Sequence, residues 1–216
     1  MARTATLRLH ALSPPSTEHT IIREATAEDV ENAADTLTAA FVDYPFTRHT
    51  IAADDHEARL REFQHLFLSE IGLPHGRVWV SDGLDAVAVW STPGGDAGPA
   101  LERLLPCMVE IAGDRAHAHS SAEAAMEPHR PQGPAWFLGT VGVRPSAQGR
   151  GLGRAVIEPG LAAADAEGLP AFLETSTEGN VRVYEALGFE ITAEYDLPGG
   201  GPRTWAMLRR PARSRG

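Results

Sequence analysis

One stretch limits what this chain can fold into more than any other. It runs from Trp136 to Glu158 and reads WFLGTVGVRPSAQGRGLGRAVIE. Trp136–Val143 is a short apolar run, bounded by Pro134 on one side and by Arg144-Pro145 on the other. That length with those breakers predicts a buried strand. Gln148-Gly149-Arg150-Gly151-Leu152-Gly153 follows as a glycine-rich turn, and Arg154-Ala155-Val156-Ile157 opens a helical pattern. Strand, glycine turn and helix start in that order aim several backbone N–H groups at one point, with the positive end of the helix dipole behind them. Two readings compete: a tight turn and nothing more, or a cradle for a pyrophosphate. Two well-known phosphate loops drop out. A dinucleotide fingerprint asks for a glycine-sized residue where Arg154 stands, and a Walker loop asks for a Gly-Lys-Ser/Thr ending that is missing.

The chain has 216 residues, enough for one domain of ordinary size with a real core. No apolar run reaches the roughly 20 residues of a membrane-spanning helix. Residues 1–19 carry Arg3 and Arg8 but no apolar stretch of signal-peptide type, so they read as a loose leader. The single cysteine, Cys107, rules out an internal disulfide framework and fits a reducing, cytoplasmic compartment. It is expected to be a small buried hydrophobe on a helix. The formal net charge is −10, which argues against a nucleic-acid partner and suits a cationic substrate. An anionic cofactor then needs local positive charge, and Arg144, Arg150 and Arg154 around the glycine turn are expected to supply it.

Taken in order, Thr20–Ala25 reads as a first strand and Thr26 as the N-cap of a helix running to Val42, with Pro45 ending that pattern. Asp43–Thr50 is an aromatic, charged link, either a plain loop or the border of a substrate pocket. Asp55–Ile71 is a second helix. Arg77–Ser81 and Ala86–Trp90 are strands joined by the hairpin turn Asp82–Asp85. Leu101–Ala112 and Arg115–Met126 are helical. A helix from Leu152 to Glu167 contains Pro159-Gly160, so a bend is expected there. Ala171–Thr175 is a strand, Glu178–Leu187 a short helix closed by Gly188, and Phe189–Tyr195 and Arg203–Leu208 the last two strands. The expected whole is one mixed α/β domain over residues 20–210, a single central sheet flanked by helices, followed by a frayed basic tail at 211–216. His117 and His119 share no helical face, and no cysteine or acidic pattern completes a metal site around the nine histidines. Trp79, Trp90 and Trp136 read as core.

The series Val143-x-Pro145-x-x-Gln148-Gly149-x-Gly151-x-Gly153 resembles the acetyl-CoA signature of the GNAT-type N-acetyltransferases. Asn180-x-x-x-Tyr184-x-x-x-Gly188-Phe189 matches a second pattern of that family. The runs AAFVDYPFTRHT, VAVWSTP, EPHRPQGPAWFLGTVGV, PAFLETS, YEALGF and GPRTWAM are similar to the branch that acetylates puromycin, over roughly Ile21 to Arg209. The resemblance implies a GNAT fold and direct acetyl transfer from acetyl-CoA to the amine of a small molecule, with no metal. It implies that Val141, Gly142 and Val143 serve the pantetheine arm and the thioester carbonyl. It gives the pyrophosphate to the N–H groups of Gln148, Gly149, Arg150, Gly151, Leu152, Gly153 and Arg154, and a cofactor contact to Asn180. Tyr184 matches the acid that reprotonates the departing thiolate. Glu174, at a strand end after Phe172-Leu173, is the first candidate for the base. Asp43, Tyr44, Phe46 and His49 are candidates for the substrate pocket, and Asp43, Tyr44 and His49 are also secondary candidates for the base. Puromycin or a related aminonucleoside is the expected acceptor and resistance the expected consequence. Another small amine, or a non-catalytic acyl-CoA sensor, are the alternatives.

Overall fold

The computed structural model describes residues 20–212; the 1–19 leader and the end of the basic tail lie outside the described residues. Seven strands form one sheet: β1 (Ile22–Glu24), β2 (Gly76–Ser81), β3 (Ala86–Ser91), β4 (Trp136–Val143), β5 (Ala171–Thr175), β6 (Glu190–Asp196) and β7 (Arg203–Arg209). Their spatial order is β1-β2-β3-β4-β5-β7-β6, antiparallel throughout except for the parallel pair β4–β5. The expected central mixed sheet flanked by helices is present.

Alternation along β2 and β3 explains why both faces are covered. Trp79, Ala86, Ala88 and Trp90 face α7 (Leu152–Glu167). Val78, Val80, Val87 and Val89 face Val30, Ala33 and Leu37 of α1 (Val30–Phe41). Neither strand has a side for water, hence the near-continuous apolar runs in their sequence. The three tryptophans expected in the core are there, Trp136 packed against both Trp79 and Trp90.

Several elements differ from expectation. The link after α1 is not a loop: Pro45–Thr50 is a short helix, α2, with Pro45 at its first turn, where a missing N–H costs nothing. The helix expected to end at Ile71 is α3 (His56–Leu66), followed by a π-helical stretch, Phe67–Gly72, and the short α4 (Leu73–His75). Cys107 is exposed, not buried. It lies midway along α5 (Gly98–Ala112), whose ends pack in separate clusters, Ala100 and Leu104 with Ile71 and Ile111 with Leu60. The middle of α5 bridges the gap between them. After α5 come α6 (Ala116–Met126) and a 3-10 turn, Glu127–His129.

α7 runs unbroken through Pro159. Its neighbour Gly160 has a clear reason to lack a side chain. A Cβ built there would fall inside the Trp90 indole, which is wholly buried. Gly160→Ala is therefore expected to cost about 1–3 kcal/mol, read as a lower denaturant midpoint. An unchanged midpoint would show that the helix can shift to make room.

Candidate active site

The site begins with a discontinuity in the sheet. β4 pairs with β5 only over Trp136–Leu138 against Ala171–Leu173. From Gly139 to Val143, β4 has no strand on its β5 side. β3 still pairs with β4 beyond that point, but the register steps: Val89 faces Thr140 while Trp90 faces Leu138, leaving Gly139 as an extra residue. This bulge changes which way the strand's side chains point. Before it, Trp136 and Leu138 face α7; after it, Val141 and Val143 do. Gly142 then faces α1, where a Cβ would lie 2.9 Å from both Leu37 and Ala40. The result is a wedge between β4 and β5, with one wall an unpaired backbone edge.

At the wide end of the wedge lies the glycine turn. Gly149 and Gly151 have φ of +76° and +79°, left-handed values that disfavour a side chain. Nothing lies within 4 Å of a Cβ built on either, so both face open space. Ala155 N donates to Gly151 O, starting the α7 ladder, and Gln148 N donates to Pro145 O. Between them, the N–H groups from Gly149 to Arg154 meet no acceptor among the described residues, and α7 has no side-chain cap. Free N–H groups at the head of a long helix form an anion cradle.

The expected arginine cluster is mostly engaged elsewhere. Arg144 donates to Thr36 Oγ1 at 2.8 Å and pairs with Asp85 at 3.5 Å. Arg154 pairs with Glu158, one turn along its own helix, at 2.7 Å. Arg150 has no ion-pair partner among the described residues. The positive character of the cradle thus comes from backbone N–H groups and the helix end. Gln148 donates its side-chain amide to Val143 O at 3.3 Å, while Leu152 is buried in the core and Gly153 abuts Val143.

The narrow end is furnished by β5 and α8 (Glu178–Glu185). Thr177 caps α8 by accepting from Asn180 N. The Asn180 side chain turns back and donates to Thr175 Oγ1 at 3.1 Å. Tyr184, one turn on, is buried and set edge-on to Phe189. Its hydroxyl bonds to no described residue. Burial, with Tyr44 adding to it, pushes the phenol well above its ordinary value. The turn that ends α8 has Gly188 at φ +89°, as expected of a C-terminal glycine.

Glu174 is neither a sheet-edge nor an open carboxylate. Its side chain is 6% exposed and pairs with Arg130 at 3.0 Å, and Tyr195 donates to its other oxygen at 3.3 Å. Burial raises its pKa above the usual carboxylate value, and Arg130 pulls the other way without cancelling that. Arg130 also bonds Glu123 and lies over Phe137, and the ring of His129 stacks on Tyr195 at 4.2 Å. The sequence reading missed Arg130 and Tyr195. The only signal was a charged residue lodged between His129 and Pro131 in a turn-rich run.

The four pocket candidates do not gather at one point. Tyr44 reaches the wedge: its hydroxyl accepts from Ser176 N at 2.6 Å and lies 3.1 Å from Thr175 Oγ1. Asp43 is exposed and bound to Arg48. Phe46 packs with Met126 and Leu197, and His49 Nε2 sits 3.1 Å from Pro198 O. Among the described residues no group of three potential metal ligands occurs, and no helix is long and apolar enough to cross a membrane.

Residues 114–189 match the Acetyltransferase (GNAT) family. A mycothiol acetyltransferase of Streptomyces scabiei is 48% identical over 60 residues, 26% of this chain. The chain spans only 19% of that protein's length. An uncharacterized N-acetyltransferase of Schizosaccharomyces pombe is 27% identical over 186 residues, 76% of this chain and 71% of its own. Among solved structures, a histone acetyltransferase HPA2 and related acetyltransferase from Corynebacterium glutamicum superposes with a TM-score of 0.70 at 27% identity, covering 91% of this chain and 99% of its own.

Proposed function

We propose, from the premise that this chain carries a GNAT-family N-acetyltransferase domain with the GNAT fold, that the protein moves an acetyl group from acetyl-CoA to the amine of a small molecule. The observation that carries this is the wedge: an unpaired β4 edge with a helix-headed anion cradle at one end and an uncommitted phenol, Tyr184, at the other. A pyrophosphate suits the N–H groups of Gly149–Arg154. The unpaired backbone of Gly139–Val143 suits the amide groups of a pantetheine arm, pairing as a strand would. An N–H at Val141 or Gly142 would donate to the thioester oxygen as charge gathers there. Tyr184 would hand its proton to the departing sulfur, and Asn180 would border the arm. Glu174 would take the amine's proton through water, its raised pKa placing it nearer the working pH than an open carboxylate. The domain proposed to carry this activity spans residues 20–210.

For the acceptor we propose puromycin or a related aminonucleoside, acetylated in the cytoplasm so that its amine no longer reacts. The sequence runs shared with that branch favour it, as do the Phe137 ring and the His129–Tyr195 stack on the Glu174 side of the sheet. Thiol release from acetyl-CoA, followed with puromycin, agmatine and tryptamine in turn, tests both levels. Fastest release with puromycin is expected. Faster release with another amine replaces the acceptor only. Acetyl-CoA binding without release with any amine would make the protein an acyl-CoA sensor.

A further inference from the structure

One side chain ties the α1–α2 junction to β5 beside the wedge. Tyr44 leaves the α1–α2 junction, where its ring meets Phe41 edge-on, and ends on β5 beyond the last β4–β5 pair. The direction of each hydrogen bond there can be worked out. Ser176 N has only a proton to give, so Tyr44 Oη accepts from it. Asn180 Nδ2 likewise donates to Thr175 Oγ1. The contact between Thr175 Oγ1 and Tyr44 Oη runs one of two ways. If Tyr44 were the donor, the proton of Thr175 would be left without an acceptor, and Thr175 is only 3% exposed. A buried, unmade hydrogen bond costs about 1–3 kcal/mol. If Thr175 is the donor, every buried proton is placed, and Tyr44 keeps its own proton for the space in front of it. Tyr44 Oη then accepts twice and cannot act as a base.

We propose that Tyr44 is a second catalytic phenol, whose O–H bonds to the sulfur of acetyl-CoA as negative charge develops on it, while Tyr184 transfers the proton. This rests on the acetyl-transfer reading above. The amine nitrogen bonds to the acetyl carbon; the carbon–sulfur bond breaks and its electron pair goes to sulfur. Tyr184 gives sulfur a proton, and the proton lost by the amine nitrogen returns to the Tyr184 oxygen by way of Glu174 and solvent. Tyr44 releases nothing: it lends a hydrogen bond while the charge lasts. The need for it follows from the burial of Tyr184. Burial penalises a charged sulfur as it does a charged phenol, so a fixed donor beside the sulfur lowers the barrier without having to reorganise. Thr175 acts as a positioning residue, since its O–H is what turns the Tyr44 proton outward.

The test uses Tyr44→Phe, Thr175→Val and Thr175→Ser in the full chain, with acetyl-CoA and the amine that the wild type turns over fastest. For Tyr44→Phe we expect kcat to fall about tenfold or more while the acetyl-CoA dissociation constant and both KM values hold within about twofold. That pattern marks an interaction made only in the transition state. Thr175→Val should lose part of the same factor, and Thr175→Ser, which keeps the hydroxyl, should recover it. A lower melting temperature for Tyr44→Phe with kcat unchanged overturns the proposal and makes Tyr44 a strap between α2 and β5. Absence of thiol release by the wild type with every amine overturns the transfer reading itself, and this proposal with it.

Discussion

Replacing Tyr184 with phenylalanine is expected to lower kcat by about 10² or more, with little change in acetyl-CoA affinity. The substitution keeps the ring that packs on Phe189 and removes one oxygen that bonds to no described residue. Little of the fold depends on that oxygen, so the melting temperature should hold. Burial shifts the phenol well above the ordinary tyrosine value, which at first sight makes Tyr184 a weak acid for the task. The comparison that matters is between phenol and sulfur in the same place. Low-dielectric surroundings destabilise a thiolate as they do a phenolate, so the proton passes between two groups penalised alike. The upward shift also means that Tyr184 stays protonated over the whole working range. The variant should therefore lose rate equally at pH 7 and pH 8. A kcat within a few-fold of wild type removes Tyr184 from the proton transfer. An equal loss in acetyl-CoA affinity would give it a binding role instead.

What the sequence could say of this site depended on how far apart the partners lie along the chain. The strand, glycine turn and helix of Trp136–Glu167 are written in consecutive residues, each a local conformational preference, and all three formed. Asn180 and Tyr184 sit one turn apart on α8, so their common face followed from spacing, but their link to the glycine turn rested on the family resemblance. The Gly139 bulge left no trace, because one extra residue in an apolar run looks like more of the same strand. Tyr44 and Ser176 meet across the sheet from distant parts of the chain. So do Arg130 and Glu174. No local pattern carries such pairings; they come from which strands neighbour one another. Arg144 misled for a related reason. It stands beside the glycine turn in sequence, but its side chain is held by Thr36 on α1 and by Asp85, its neighbour across the β3–β4 ladder.

Arg130 carries the second large effect, on stability and on pH together. Arg130→Met is expected to destabilise the protein by about 3 kcal/mol, because it strands a buried carboxylate that had a charged partner. For a chain of this size that is a drop of roughly 6–12 °C in melting temperature. Glu123 and Glu127 also lose a partner, but they are 44% and 73% exposed and water replaces it cheaply. The sign of the pH dependence follows from Glu174. Its carboxyl already sits above the ordinary 4.5, burial outweighing Arg130. Between 4.5 and that raised value the folded protein holds a proton that the unfolded chain has released, so stability falls as pH rises through the window. Without Arg130 the opposing influence is gone and the window widens upward. The stability deficit of Arg130→Met should be smallest near pH 5 and grow toward pH 7.5. Asp29 and Asp165, held below their ordinary values by Arg23 and Arg209, lose stability in acid instead, but they do so in both proteins and cancel in the difference. Arg130→Met combined with Glu174→Gln removes both charges and should regain much of the loss. The rate carries the same signature if Glu174 receives the amine's proton: the acid limb of kcat/KM moves to higher pH in Arg130→Met. A deficit that is flat with pH, or that deepens in acid, would mean that Arg130 holds the α6 turn in place by packing on Phe137 and not by pairing with Glu174.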